Sequence, residues 1–356
     1  MIKDVYGYVS DLPAGCITET DIYTDSGALL CPKMTVIDQK ILKSLSDYHG
    51  KIHATIYYSD ADEFELEDDF PLPDDSICFD ESFRQYAMES LARLYANLDD
   101  IDSLTKGIIQ IGEKVCSIIN DSKSLSLNLS KLKVCDEYTY RHSVDVGTMA
   151  AILAKALGES DSFVKDITVV GLLHDIGKEE IPNEILNKPG KLTATEFELI
   201  KTHPVRGYRL LAKSPDLTEE MRQAILNHHE NIDGSGYPRN LSGDQIGKMA
   251  QIISIVDVYD ALVTARPYKR AYTPAEAIEI MFTMSNKFNL KYFRAFLTIV
   301  NIYPHGSTIT LSNGEEGVVV RQNKAYPLRP VIKITSIQTV VDLSNDRNYL
   351  STVIVK

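Results

Sequence analysis

The spacing of apolar positions changes period twice along the chain. In the first 58 residues, short β-prone runs at 6–10, 16–18 and 21–24 are separated by Pro13-Ala14-Gly15 and Asp25-Ser26-Gly27 turns. Residues 36–48 show helical spacing, with Ile37, Ile41, Leu42 and Leu45 on one face, and residues 52–58 read as a further strand. From 81 to about 296 the spacing is helical throughout. Val146, Met149, Ala150, Leu153 and Leu157 mark one stripe, which also carries His142. Thr193 with Glu196 and Thr273 with Glu276 fit capping boxes, the second with Pro274 at the first helical position. Thr218-Glu219-Glu220 opens a helix that runs into Asn227-His228-His229, and residues 250–262 form another that carries Asp257 and Asp260. At 307–311, 317–321, 331–335 and 351–355 the period returns to two, with Asn313-Gly314 as a hairpin signal.

This pattern predicts a mainly α protein in three parts: a small β-rich N-terminal module (1–75), a domain of seven or more helices (80–305) and a C-terminal β appendage (306–356). No βαβ alternation and no glycine-rich phosphate loop interrupts it. Residues 60–75 carry nine carboxylates and two prolines, the composition of an exposed linker at the end of the first module.

At 356 residues, 44% hydrophobic and 24% charged, the chain has the mix of a globular protein with room for a large core. It has no apolar run of transmembrane length and no signal-peptide pattern at Met1-Ile2-Lys3-Asp4-Val5-Tyr6. Five scattered cysteines point to reduced thiols, so a cytoplasmic protein is expected. A formal charge of −13 disfavours binding to nucleic-acid polymers, and an anionic ligand must be met by metal ions or by a few local Lys and Arg residues.

Histidine placement carries the chemistry. Five of the eight histidines fall between His142 and His229. Singly, each has a plainer reading: His142 as a core histidine, His203 before Pro204 as a cap, His228-His229 as a surface pair. Asp257 resists one, because a carboxylate within a nearly continuous apolar run needs a partner or a metal. His174 and Asp175 stand back to back, about 100° apart on a helix, so they can grip one ion from two sides or let Asp175 bridge two. Jointly, His142, His174, Asp175 and Asp257 suit one ion, and His203, His228 and His229 suit a second bridged by Asp175. Mixed imidazole and carboxylate donors favour iron, manganese or zinc over magnesium or calcium, and no cysteine stands near to suggest structural zinc. Two such ions clamp an in-line phosphoryl displacement and generate hydroxide near neutral pH. The pattern predicts a binuclear hydrolase.

These residues resemble the H…HD…D signature of the HD phosphohydrolase superfamily. His174-Asp175-Ile176-Gly177-Lys178, Lys188-Pro189-Gly190-Lys191, His203-Pro204, His228-His229-Glu230, Asp233-Gly234-Ser235-Gly236-Tyr237-Pro238 and Arg266-Pro267-Tyr268-Lys269 resemble its HD-GYP subfamily, in order, over residues 110–305. The resemblance implies an HD-type helical bundle and a metal-dependent phosphodiesterase that converts cyclic di-GMP to pGpG, GMP or both by a metal-bridging hydroxide. It implies that His142, His174, Asp175, His203, His228, His229 and Asp257 are metal ligands of a non-haem iron centre, with manganese as the alternative. Some members place a glutamate four residues before the first histidine to help hold a third metal. Here that position is Tyr138 and Glu137 is one residue off, so two ions are expected.

Asp175 and Lys178 are the expected catalytic residues. Lys178, about one helical turn beyond His174, can reach a bound phosphate or assist the leaving 3′-oxygen. Arg266 and Lys269 resemble the family's phosphate-binding pair. Gly236 permits close backbone approach and Tyr237 offers a flat face and a hydroxyl at the site mouth. The residues leave three functions open: a cyclic di-GMP phosphodiesterase, a relative acting on cyclic GMP-AMP, and a non-catalytic cyclic dinucleotide receptor. They also leave open a protein partner at the GYP loop or the N-terminal module, and a homodimer.

Overall fold

The computed structural model describes residues 2–9, 12, 17–18, 20–24, 29–33, 35, 37, 39–45, 48, 50–57, 81–122, 138–188, 190–264, 270–323 and 325–355. It divides into two compact units, Met1–Asp74 and Asp75–Lys356. In the first unit, β1 (Ile2–Tyr8) and β2 (Ile17–Thr18) flank β5 (Lys51–Tyr57) antiparallel, and β3 (Ile22–Tyr23) pairs with β4 (Leu29–Cys31). Along β5, Ile52, Ala54 and Ile56 are buried while Lys51 and His53 face outward, the period of a one-sided sheet. They share a small core with Val9, Ile22, Cys31 and Ile37. The helix expected over 36–48 is α1, Gln39–Leu45; Ile37 joins the core from the chain ahead of it. The acidic linker expected at 60–75 lies outside the described residues.

The second unit is built on helices. They are α2 (Glu81–Tyr95), α3 (Ile101–Asp121), α4 (Tyr138–Ala156), α5 (Asp161–Leu173), α6 (Asn183–Leu186), α7 (Ala194–Ile200), α8 (His203–Leu211), α9 (Glu219–Asn227), α10 (Lys248–Val263), α11 (Pro274–Thr283) and α12 (Leu290–Ile299). The expected capping boxes stand at the starts of α7 and α11, and Thr218 caps α9 through its side chain. In α10 every residue from Met249 to Asp257 is buried, so this helix forms the centre of the bundle. The α4–α5 crossing is tight. A Cβ on Gly171 would lie 2.5 Å from the Cα of Gly147, so only glycine lets the helices bearing His142 and leading into His174 come this close.

The tail forms an antiparallel sheet in the order β6 (Thr308–Thr310), β7 (Glu316–Arg321), β8 (Val331–Ile334), β9 (Val340–Asp342). Ile309, Val319, Ile332, Ile334 and Val341 face a core of their own. The strand expected at 351–355 is not one. Only an isolated bridge joins Ile354 to Leu311, and the fourth strand is β9, where Val340 is exposed and Val341 buried. The 351–355 alternation matches the strand period, but its ladder stops at two backbone hydrogen bonds, from the Ser312 N–H to the Val353 carbonyl and from the Val355 N–H to the Thr310 carbonyl. The Arg329 guanidinium holds the chain just before it at the Tyr349 and Leu350 carbonyls.

Candidate metal centre

Three of the histidines stand at helix termini. His174 directly follows α5, His203 opens α8 and His228 directly follows α9. Each turns its Nδ1 onto the carbonyl three residues back, Gly171, Ile200 and Ile225 respectively, at 2.7 Å in all three. A carbonyl only accepts, so each Nδ1 carries a proton, and in the neutral ring that leaves Nε2 with a lone pair. His142 is oriented by another route. In the second turn of α4, its Nδ1 lies 2.6 Å from the buried Asp260 carboxylate, and its Nε2 faces Asp257 Oδ1 at 3.2 Å.

These Nε2 atoms converge in pairs. His142 and His174 Nε2 are 3.2 Å apart, as are those of His203 and His228. Between neutral rings with Nδ1 protonated, two lone pairs at that distance repel, and a cation between or beside them would remove the repulsion. The Asp175 carboxylate lies between the pairs: Oδ2 is 3.4 Å from His174 Nε2 and 3.6 Å from His142 Nε2, and Oδ1 is 3.2 Å from His203 Nε2. Oδ1 is buried and has no hydrogen-bond donor, an expensive arrangement for a carboxylate oxygen that a metal ion would resolve. The donors form two groups, His142, His174 and Asp257, and Asp175, His203, His228 and His229, with ligand atoms in each within 4.8 Å of one another. Asp257 faces both: Oδ1 is 3.2 Å from His142 Nε2 and Oδ2 is 3.7 Å from His229 Nδ1. The structure therefore brings together all seven residues that the sequence suggests as ligands.

Electrostatics divide the two groups. At His142 burial opposes charge, yet hydrogen bonds to Asp257 and Asp260 win and hold its pKa at about 10. That field favours a positive charge at this spot, which a bound cation supplies. His229 is pushed down to about 3, mainly by burial, and burial also holds His228 well below its ordinary range. Asp175 stays ionised despite burial, chiefly through the neighbouring Lys178 ammonium. The donor set of imidazoles and carboxylates fits a non-haem transition metal.

Lys178 donates to Asp175 Oδ2 and is one-quarter exposed. The short 3-10 turn that carries it, Ile176–Glu180, packs directly on α8: a Cβ on Gly177 would fall 2.0 Å from the His203 carbonyl oxygen. Gly236 is equally forced, since a Cβ there would lie 2.4 Å from the Glu230 Cα and 2.5 Å from the His229 carbonyl. This approach lays the Tyr237 ring on His229, centroids 4.8 Å apart. Burial keeps its phenol protonated. Arg266, Lys269 and Glu137 lie outside the described residues, as does the Tyr138 side chain.

Two supporting residues escaped the sequence reading. Asp260 orients His142. Buried Glu230 accepts the backbone N–H groups of Arg239 and Leu241 and so ties down the loop that carries Tyr237. The i+3 offset of Asp260 from Asp257 in an apolar helix was a usable signal; the partners of Glu230 are set by the loop's path alone.

Residues 114–290 match the family model described as an HD domain. Over 224 residues the chain is 42% identical to a cyclic di-GMP phosphodiesterase of Pseudomonas aeruginosa, a match covering 63% of this chain and 54% of that protein. It is 41% identical over 150 residues to a 3′3′-cGAMP-specific phosphodiesterase of Vibrio cholerae, covering 41% of this chain and 33% of that protein. The chain thus spans about half, or less, of the length of these curated relatives. A solved structure from Bdellovibrio bacteriovorus, described as a HDG"Y"P protein, aligns with a TM-score of 0.50 over 83% of this chain and 98% of its own, at 20% identity. That likeness is one of fold.

Proposed function

We propose, from the match of residues 114–290 to an HD domain, that the chain is a metal-dependent cyclic dinucleotide phosphodiesterase that hydrolyses cyclic di-GMP to pGpG, GMP or both. The observation that carries this reading is the convergence of imidazole Nε2 atoms around Asp175, whose buried Oδ1 has no donor. We assign His142, His174 and Asp257 to one ion, His203, His228 and His229 to the other, and Asp175 to both. Iron is the favoured metal and manganese the alternative, two ions per chain. Ions bound there would supply Lewis acidity and an acidified water near neutral pH.

The chain's own residues do the rest. Asp175 is held ionised and aimed by Lys178. The Lys178 ammonium, partly exposed at the rim, is placed to offset the charge that grows on a phosphate during displacement. Tyr237, fixed on His229 by the Gly236 approach, gives a base or ribose a flat wall. Arg266 and Lys269, which follow α10 in sequence, are our candidates for the phosphates. The scattered cysteines and the messenger substrate favour a cytoplasmic location; no described helix is long and apolar enough to cross a membrane.

Protein purified without oxygen tests this reading by metal analysis and product chromatography. Two ions per chain and conversion of cyclic di-GMP are expected; an iron-loaded protein that leaves the substrate intact overturns it in favour of a receptor. The 41% identity to a cGAMP-specific enzyme supports a second reading, preference for cyclic GMP-AMP. Side-by-side kcat/KM values separate the two.

A further inference from the structure

The metal-centre reading leaves unexplained how the end of α5 is held. The last carbonyls of a helix have no partner within it, and those of α5 lie immediately before His174. Gly171 O accepts from His174 itself. Leu172 O accepts from the Tyr95 hydroxyl, at 2.7 Å and fully buried, across 77 residues of sequence. Tyr95 is the last residue of α2. Its ring also packs edge-on against Tyr140, two residues before His142, with centroids 5.6 Å apart and planes at 85°.

Nearer the other end of α2, the Arg84 guanidinium stands 4.0 Å from the buried carboxylate of Asp145, almost one turn after His142. Arg141 approaches the same carboxylate at 3.5 Å. One helix therefore touches the chain just before His174, just before His142 and just after it. These contacts fall on α4 and the end of α5, the elements that position one of the two ligand groups.

We propose that α2 is a positioning clamp for the His142–His174 half of the metal centre, with Tyr95 its principal residue. Tyr95 touches neither ligand; it acts through the Leu172 carbonyl, which fixes the turn that presents His174, and through Tyr140. Arg84 steadies the same helix face through Asp145. The proposal rests on the metal-binding reading given above.

The test is titration of metal-free protein with Mn²⁺ by calorimetry, using Tyr95→Phe, which keeps the ring and removes only the donor. Wild type is expected to show two sites, and His203→Ala identifies which belongs to the other group. In Tyr95→Phe the His142–His174 site should weaken by about ten-fold, the scale of lost outer support for a ligating histidine, while the second site stays within about two-fold. Arg84→Met should weaken the same site, and Arg84→Lys should recover part of the loss. Ile108→Val, a core change on α3, controls for general loss of stability. Unchanged affinity in both Tyr95→Phe and Arg84→Met overturns the clamp, as does an equal, unselective weakening in Ile108→Val. A wild-type protein that binds no Mn²⁺ instead refutes the metal reading itself, so the two failures are distinct.

Discussion

His203 and His228 are oriented by carbonyls in their own turns, three residues back, whereas His142 is oriented by Asp260 from a helix more than a hundred residues away. The first arrangement makes itself once the local turn forms. The second exists only when α4 and α10 are packed together. The charge differs too. Asp175 and Asp257 face both groups, but only the His142 group has Asp260 behind its imidazole, and its histidine is strongly biased toward positive charge; in the other group His229 is biased toward neutrality. A carboxylate behind an imidazole also raises its basicity as a ligand. The His142 group should therefore hold its ion more tightly, and lose it more readily when distant packing is disturbed.

Asp175 lies between the two groups, so its loss should erase the comparison altogether. Asp175→Ala is expected to abolish turnover and strip both ions, read by metal analysis and product formation. A variant that kept one ion at full affinity would show that the groups are independent.

Asp260→Asn separates them. The amide keeps the size but offers no carboxylate behind His142, so affinity at that group should fall by roughly 10–100-fold while the His203 group is unchanged. Equal weakening of both sites in calorimetry would mean that the orientation of His142 is not specific to its own ion. No matching substitution exists for His203, because its partner is backbone.

That asymmetry explains what was legible in the sequence. The histidines were visible because five of the eight fall between His142 and His229 and together make up two ligand sets, although their bonds to their own turns were not read from the sequence. Asp257 showed itself by standing charged in an apolar run. Tyr95 did not, because its partner lies 77 residues away and no spacing records a crossing of helices. Glu230 did not, because the path of the following loop sets its partners, and Asp260 left only its i+3 offset from Asp257. The same limit applies to the fold. The helical domain was legible from its period, but β9 and the edge at 351–355 were not, since both alternate alike and only the pairing partner, β8 for one and the end of β6 for the other, separates them.

Gly177→Ala probes the backbone side of the comparison. The added methyl meets the His203 carbonyl and the Gly207 amide, both backbone, so α8 must shift rather than a side chain rotate. Overpacking of this kind costs about 1–3 kcal/mol, measurable by urea unfolding. Because His203 opens α8, its group rather than the His142 group should lose metal affinity. An unshifted unfolding midpoint would show that α8 has slack that the packing does not suggest.

The smallest effect concerns the turn that feeds His203. Its Nδ1 bonds the carbonyl of Ile200, the last residue of α7, and α7 starts at the capping box of Thr193 and Glu196. A hydrogen bond from Lys188 comes first in holding the Glu196 pKa at about 2, against an ordinary 4.5, and the Thr193 amide adds to it. A carboxylate depressed on folding contributes stability that is complete above its unfolded value and fades as pH falls toward the folded one. The contribution should therefore be present above about pH 4.5 and disappear between there and about pH 2. The group is only partly buried, so solvent screens it and the change is small. Glu196→Gln keeps an acceptor for the Thr193 amide but cannot titrate, and its thermal midpoint should fall less steeply than wild type between pH 5 and 3. Parallel acid limbs for the two proteins would remove Glu196 from the support of His203 and leave the Ile200 carbonyl to act without it.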